Sequence, residues 1–166
     1  MPVEPVVLLA CGNTLRGDDG VAWNIGLAIE EIPLLAAVKV TFTQQLLPEH
    51  AELLKDKESV LFLDCSAVSE PGTVSTIALN PAPSLPRILT HHLDPASLLR
   101  LTQDLYGKAP PVAYAITVGG ASFALGEQLS STVEAAIPVA IDAVTRVLLE
   151  TQQNAQERRT TAFLDR

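Results

Sequence analysis

Three groups of residues in this sequence have side chains suited to acid–base chemistry or to binding a metal ion. Asp18 and Asp19 are adjacent carboxylates in a glycine-rich segment, and Asp64 ends a short apolar run. His91 and His92 are two of the three histidines in the chain. Two carboxylates and an imidazole suit a borderline divalent ion such as nickel or zinc. So few protein ligands would leave coordination positions open for a substrate.

The aspartate pair lies in a segment, residues 12–20, that reads GNTLRGDDG and directly follows the apolar residues 5–10 and Cys11. Open α/β sheets place their ligand sites where a buried strand ends in such a polar loop. A structural alternative is that one aspartate caps the next helix and the other is a solvated loop charge. A phosphate site is disfavoured, because the glycine spacing fits neither nucleotide-binding motif and two carboxylates repel an anion.

Each remaining candidate also has an ordinary structural explanation. Asp64 can be a helix cap or a turn residue, and the two adjacent histidines can be a plain loop pair. His50 lies between two glutamates and is expected on the surface. Cys11 and Cys65 lie near strand ends without an evident activating histidine, so they are expected to be small core residues.

The hydrophobic periodicity predicts strands that alternate with helices. Right-handed crossovers would make the first three strands parallel, with the segment 12–20 and Asp64 at the same edge of the sheet. We expect an α/β protein with three α/β/α layers around a twisted, mostly parallel five-stranded sheet. The predicted strands cover residues 5–10, 38–43, 59–64, 74–79 and 112–118, and the predicted helices begin near residues 21, 48, 95 and 131.

Two helix starts carry capping signals. Asp94 precedes Pro95 and is the predicted N-cap of a helix that ends at Gly107. Ser131 and Glu134 have the spacing of a capping box and are predicted to open the last helix.

Length, composition and charge narrow the class of protein. The 166 residues, 48% of them apolar, fit one domain over residues 1–150. Residues 151–166 are polar and are predicted to be a flexible tail. The net charge of −8 disfavours a nucleic-acid partner. The start of the chain has no signal-peptide pattern, and no apolar run is long enough for a membrane span, so a cytoplasmic protein is expected.

The aspartate segment also resembles a family signature. GNTLRGDDG is similar to the G-N-x-L-x-x-D-[DE]-G signature of the hydrogenase maturation proteases. These endopeptidases remove the C-terminal extension of the large subunit of nickel–iron hydrogenases. Ala22 and Cys11 depart from common family residues without altering a proposed ligand. Further matches are Asp64, THHLDP at 90–95, LYG at 105–107, FxxGExLS at 123–130 and, for one subgroup, QLxPE at 45–49.

This resemblance implies a function and roles for individual residues. The precursor of a hydrogenase large subunit would be the protein substrate, and its inserted nickel would be the recognition handle. Nickel would thus come with the substrate, with none tightly bound to the resting enzyme. Asp19, Asp64 and either His91 or His92 would hold it, with His91 favoured. Asp18 or Asp19 would act as the base, and the substrate would contact Gly12, Asn13 and Gly17.

Two other functions stay open. The same ligands would serve a non-catalytic checkpoint or chaperone that inspects nickel during hydrogenase assembly. A small nucleotide-binding enzyme on a similar sheet is the third hypothesis. The acidic loop disfavours it, as do the neutral residues Thr43, Gln44 and Gln45 at the position where a nucleotide-binding unit holds its ribose.

Overall fold

A computed structural model describes residues 6–87 and 93–164, so His91 and His92 lie outside the described residues. Its sheet has the strand order β2-β1-β3-β5-β4. β1 pairs in parallel with β2 and β3, β3 pairs in parallel with β5, and β4 is antiparallel to β5. The predicted, mostly parallel five-stranded sheet is confirmed. The strands are β1 (Val6–Cys11), β2 (Val38–Thr43), β3 (Ser59–Ser66), β4 (Val74–Ala78) and β5 (Val112–Gly119).

The helices cover both faces of this sheet. They are α1 (Val21–Glu30), α2 (Ala51–Leu54), α3 (Pro95–Tyr106) and α4 (Ser131–Leu164). Buried residues of α1 and α4 form one core cluster with the sheet, and those of α2 and α3 form a second cluster. The three predicted layers are therefore present. No helix within the described residues is long and apolar enough to cross a membrane.

The sequence of β1 explains its central place. All six of its residues are buried, and successive side chains point to opposite faces. Val6, Leu8 and Ala10 join the core under α1 and α4, whereas Val7 and Leu9 join the core under α2 and α3. Because the chain leaves β1 toward β2 on one side and β3 lies on the other, the carboxyl ends of β1 and β3 mark the switch point where such sheets bind ligands.

The predicted boundaries of α3 are confirmed. The Asp94 Oδ1 accepts a hydrogen bond of 2.9 Å from the Ser97 N–H, as an N-cap does. Pro95 is the first helical residue. Gly107 ends the helix in the left-handed conformation at φ 81°, which costs glycine little because it has no Cβ.

The predicted capping box of α4 is wrong by one residue. The cap is Ser130, whose Oγ accepts a hydrogen bond of 3.3 Å from the Val133 N–H. Ser131 is already the first helical residue. A capping side chain bonds the third residue after it, and the loop before α4 places Ser130 in that geometry.

The last helix is longer than its apolar periodicity suggested. Helical structure does not end near residue 150, because α4 continues to Leu164. Thr151 is buried, and Arg159 forms an ion pair with Glu58 just before β3. Residues 156–164 are all exposed. The division into a domain of residues 1–150 and a tail of residues 151–166 stays a prediction.

A chain that ends after Ala155 tests how much the exposed end of α4 contributes. It loses the Arg159–Glu58 ion pair but keeps the buried Thr151. Exposed ion pairs contribute at most about 1 kcal/mol, so the melting temperature should fall by no more than about 4 °C. Differential scanning calorimetry measures this, and a chain that ends after Glu150 should fall further. A larger loss from the first truncation would show that residues 156–164 belong to the core fold.

Candidate active site at the carboxyl edge of the sheet

A recess of about 350 Å³ opens at the carboxyl ends of β1 and β3. Its walls are the first loop (residues 12–20), the residues that follow β2 and the start of α3. Asp19 from the first loop and Asp64 from β3 both line it. The structure thus brings together two of the predicted metal ligands, which are 45 residues apart in the chain, at the switch point of the sheet.

The backbone of the first loop fixes Asp19 in this recess. Gly12 has a φ of 150°, and a Cβ on it would collide with the Asp19 carbonyl oxygen, so only glycine fits. The Asn13 N–H donates a hydrogen bond of 2.7 Å to the Asp19 Oδ2. The Asn13 Oδ1 in turn accepts one of 2.9 Å from the Leu15 N–H. Gly12 and Asn13 therefore shape the loop around Asp19, and their predicted contact with substrate stays a prediction.

Asp18 has a different environment from its neighbour. Its carboxylate is 0% exposed. The Oδ2 accepts hydrogen bonds of 2.8 Å from the Ala121 N–H, the Ser122 N–H and the Ser130 hydroxyl. The Oδ1 accepts one of 2.6 Å from the Ser130 N–H. Although burial opposes ionisation, these four donors together hold the pKa of Asp18 below its usual range.

These bonds bear on the role expected for Asp18 as the base, which stays a prediction. A base needs a lone pair directed at the proton it takes, whereas both oxygens of Asp18 accept hydrogen bonds from the chain. Neither Asp18 nor Asp19 caps α1, whose N-cap is Gly20 without a side-chain bond. Gly17, at φ 55°, also belongs to this packing, because a Cβ there would lie 2.8 Å from the Ser122 carbonyl oxygen.

Asp64 differs from both loop aspartates. Its Oδ1 accepts a hydrogen bond of 2.7 Å from the Cys65 N–H. The side chain meets solvent at the mouth of the recess, but the walls displace much of the surrounding water. This desolvation, with a smaller effect from the negative charge of Asp19, outweighs the Cys65 hydrogen bond and raises the pKa of Asp64 to about 6.

The Asp19 and Asp64 carboxylates repel each other and together favour a bound cation. Like charges in one recess repel, and a divalent ion between them would remove that repulsion. Within residues 6–87 and 93–164, no group of three or more His, Cys, Asp or Glu side chains could hold a metal ion. A complete ligand set needs another donor. The predicted donors, His91 and His92, immediately precede Leu93, which lines the recess.

The two cysteines are poor nucleophiles in this environment. Cys11 and Cys65 both line the recess as free thiols. Burial raises the pKa of each to about 12, and the carboxylates of Asp19 and Asp64 add to the effect. Because the thiolate is the reactive form, neither cysteine is activated at neutral pH.

The structure adds residues to the site that were not among the predicted site residues. Gln44 and Gln45 line the recess beside Asp19. Their segment is held by Thr43, whose Oγ1 donates to the Gln45 carbonyl at 2.8 Å and whose carbonyl accepts from the Gly12 N–H at 3.0 Å. Their position directly after β2 was the available signal, because parallel strands end at one edge. His50 holds the same segment, its Nδ1 accepting from the Leu47 N–H at 2.9 Å.

Solved structures of similar fold include a hydrogenase maturating endopeptidase HybD from E. coli. It has a TM-score of 0.71 and 22% identity, and the match covers 88% of this chain and 93% of that one. The chain has the fold of the hydrogenase maturation peptidases. A hydrogenase 2 maturation peptidase from a Thaumarchaeota archaeon matches with a TM-score of 0.65 and 25% identity, covering 86% of this chain and 97% of that one.

A third match is a [NiFe] hydrogenase maturation protease HybD from Thermococcus kodakarensis. Its TM-score is 0.64 and its identity 20%, over 86% of this chain and 97% of that one. No protein-family model matches the sequence, and no curated protein does. The fold resemblance implied by the sequence motifs is therefore confirmed by structure.

Replacing Asp18 with asparagine should destabilise the fold. The amide NH₂ would face an N–H donor where a carboxylate oxygen now accepts, which leaves buried donors unpaired. We expect a loss of about 3 kcal/mol of unfolding free energy, or about 6–12 °C in melting temperature. Urea unfolding measures it. Asp142→Asn, an exposed change on α4, is the matched control and should alter stability little.

The pH dependence of that loss has a defined sign. The folded-state pKa of Asp18 is lowered, so its stabilising effect is fully present above the unfolded pKa of about 4 and disappears as the pH falls through the folded pKa. The difference between wild type and Asp18→Asn should be constant from pH 5 to pH 7 by this argument, within about 0.5 kcal/mol, and should narrow at lower pH. A difference that grew on acidification would contradict the assigned hydrogen bonds.

Both cysteines should resist alkylation in the folded protein. With a pKa of about 12, each thiol holds about 1,000-fold less thiolate at pH 8 than a free cysteine. Iodoacetamide labelling followed by peptide mass mapping would report each site separately. The urea-unfolded chain supplies the control and should react at the ordinary rate. Fast labelling of folded Cys65 at pH 8 would restore a nucleophilic thiol to the candidate mechanisms.

Proposed function

We propose that this protein is an endopeptidase that removes the C-terminal extension of a nickel–iron hydrogenase large-subunit precursor. The observation that carries the proposal is the pair of carboxylates, Asp19 and Asp64, that share one recess at the switch point of the sheet. The fold common to solved hydrogenase maturation peptidases supports it. A shared fold leaves the reaction open, so the two carboxylates are what indicates hydrolysis.

The nickel of the precursor is the proposed recognition handle. Asp19 and Asp64 supply carboxylate oxygens, and either His91 or His92 would supply the imidazole. Such a mixed donor set suits nickel and leaves positions for ligands that the precursor provides. When no nickel-loaded precursor is bound, the protein needs no ion of its own. The ion would be bound on arrival, when it relieves the repulsion between the two carboxylates.

Asp19 is the proposed base for hydrolysis. Within the described residues its Oδ2 is bonded to the Asn13 N–H, while its Oδ1 accepts no hydrogen bond. Water oxygen would add to the scissile carbonyl carbon as Asp19 takes a proton, and the carbon–nitrogen bond would then break as that proton passes to the leaving amine. Nickel near the carbonyl would polarise it. Asp18 is left out of this step because it is buried and both of its carboxylate oxygens accept hydrogen bonds from the chain.

The direct test is the intact mass of a nickel-loaded large-subunit precursor before and after incubation with the protein. A nickel-free precursor is the parallel sample. Loss of one discrete C-terminal peptide from the loaded sample alone is the expected result. Loss from both samples would keep the peptidase and remove the nickel requirement. Binding of the loaded precursor without any loss of mass would favour the checkpoint function instead.

Replacing Asp64 with asparagine should lower the cleavage activity without lowering the stability of the fold. Cleavage of the loaded precursor should fall at least about 100-fold, because a ligand carboxylate is lost. The folded-state pKa is raised, so at pH 7 the ionised Asp64 opposes folding, and the variant should be as stable as wild type or more so. Single-turnover cleavage and thermal unfolding measure the two effects.

The matched control is Asp142→Asn, which should leave both cleavage and stability unchanged. His91→Ala and His92→Ala, tested singly, would identify the imidazole ligand by whichever variant loses cleavage. Full activity of Asp64→Asn would remove this residue from the site. A variant that loses activity together with its fold would instead assign Asp64 a structural role.

A further inference from the structure

The late loop, residues 120–130 between β5 and α4, lies against the first loop. Most of its residues are exposed. Within the described part of the chain, the hydrogen bonds of residues 121–129 all end on first-loop residues. The Gly126 N–H donates to the Leu15 carbonyl at 3.0 Å, and the Gly126 carbonyl accepts from the Gly17 N–H at 2.8 Å. The first loop therefore holds the backbone of residues 121–129 by hydrogen bonds.

Asp18 accepts hydrogen bonds from both ends of the late loop. Its carboxylate accepts from Ala121 and Ser122 at the start of the late loop and from Ser130 at its end. The Ser130 hydroxyl donates to Asp18 and also accepts from the Val133 N–H as the cap of α4. One buried side chain thus joins the first loop, both ends of the late loop and the start of a helix.

The junction places two exposed leucines next to one backbone bridge between the first loop and the late loop. Leu15 is 53% exposed and Leu125 is 82% exposed. They are the neighbours of Arg16 and Gly126, which form a parallel β-bridge. A recess of about 350 Å³ cannot enclose a folded precursor, so a protein substrate must also contact the surface around the recess. The start of the late loop lies against this recess, because a Cβ on Gly120 would lie 2.8 Å from the Sγ of Cys65, which lines the recess.

We propose that Asp18 is a positioning residue for the protein substrate: it holds the late loop in the conformation that meets the precursor beside Asp19. This inference rests on the proposed function and extends it. It assigns the two adjacent aspartates different tasks, with Asp19 facing the scissile region and Asp18 acting through the late loop. Substrate affinity, more than the chemical step, should respond when the junction is weakened.

Hydrogen–deuterium exchange tests the junction without any assay of activity. In Asp18→Asn, the amides of Ala121, Ser122 and Ser130 should exchange at least about tenfold faster than in wild type, because their acceptor changes. Ser130→Ala should give a smaller increase, and Ser130→Thr, which keeps a hydroxyl, should restore protection. Ser131→Ala, an exposed change one residue later, is the matched control and should leave the late loop protected.

Cleavage kinetics on nickel-loaded precursor test the consequence for function. Ser130→Ala should raise KM about three- to tenfold while kcat changes less than about threefold, as expected when about 1 kcal/mol of binding is lost. Ser130→Thr should recover the wild-type KM, and Leu125→Glu should raise KM through the same surface. Leu34→Glu, an equally drastic change of a leucine that is 65% exposed before β2, should leave KM unaltered.

Two results would overturn the proposal. One is unchanged exchange of the late loop in Asp18→Asn. The other is a loss of kcat at unchanged KM in both Asp18→Asn and Ser130→Ala, which would make Asp18 part of the chemistry. If the wild type leaves loaded precursor intact, the proposed function fails separately. The exchange data and the affinity of wild type and Ser130→Ala for the precursor then still decide whether Asp18 positions the late loop.

Discussion

The buried carboxylate of Asp18 is the interaction on which the carboxyl edge of this protein depends. Three backbone N–H groups and one hydroxyl from residues more than 100 positions later converge on it. Only a group with several lone pairs and no hydrogen can satisfy them all. Since Ser130 also caps α4, the carboxylate joins two loops and the start of a helix.

The candidate site lies beside the Asp18 junction and contains two carboxylates that repel each other. Asp19 and Asp64 lie in one recess, where limited access of water and like charge raise the pKa of Asp64. The parallel pairing of β1 and β3 holds them there, because the register of two central strands cannot shift without moving both cores. Such a pair opposes folding at neutral pH and is available for a cation. Functional sites often contain groups with pKa values perturbed in this way.

The comparisons and the site support the function in different ways. Solved hydrogenase maturation peptidases share the fold over most of their length at 20–25% identity. That likeness gives the topology and hence the edge at which a ligand site is expected. The proposed chemistry rests on the two carboxylates, because the thiols beside them are inert. The recess is too small for a whole protein, so a protein substrate would also contact the surface around it.

The sequence alone determined the order of strands and helices, the edge that carries the site and both ends of α3, because apolar periodicity and capping by Asp94 and Gly107 are local. The GNTLRGDDG segment also identified Asp18 and Asp19 as candidates. Tertiary structure decided which aspartate is buried and which faces the recess, since that depends on donors over 100 residues away. It likewise decided that Ser130 caps α4, because the cap follows from the loop that Asp18 holds. The two neighbouring aspartates thus have different environments because Asp18 meets donors that are distant in the sequence.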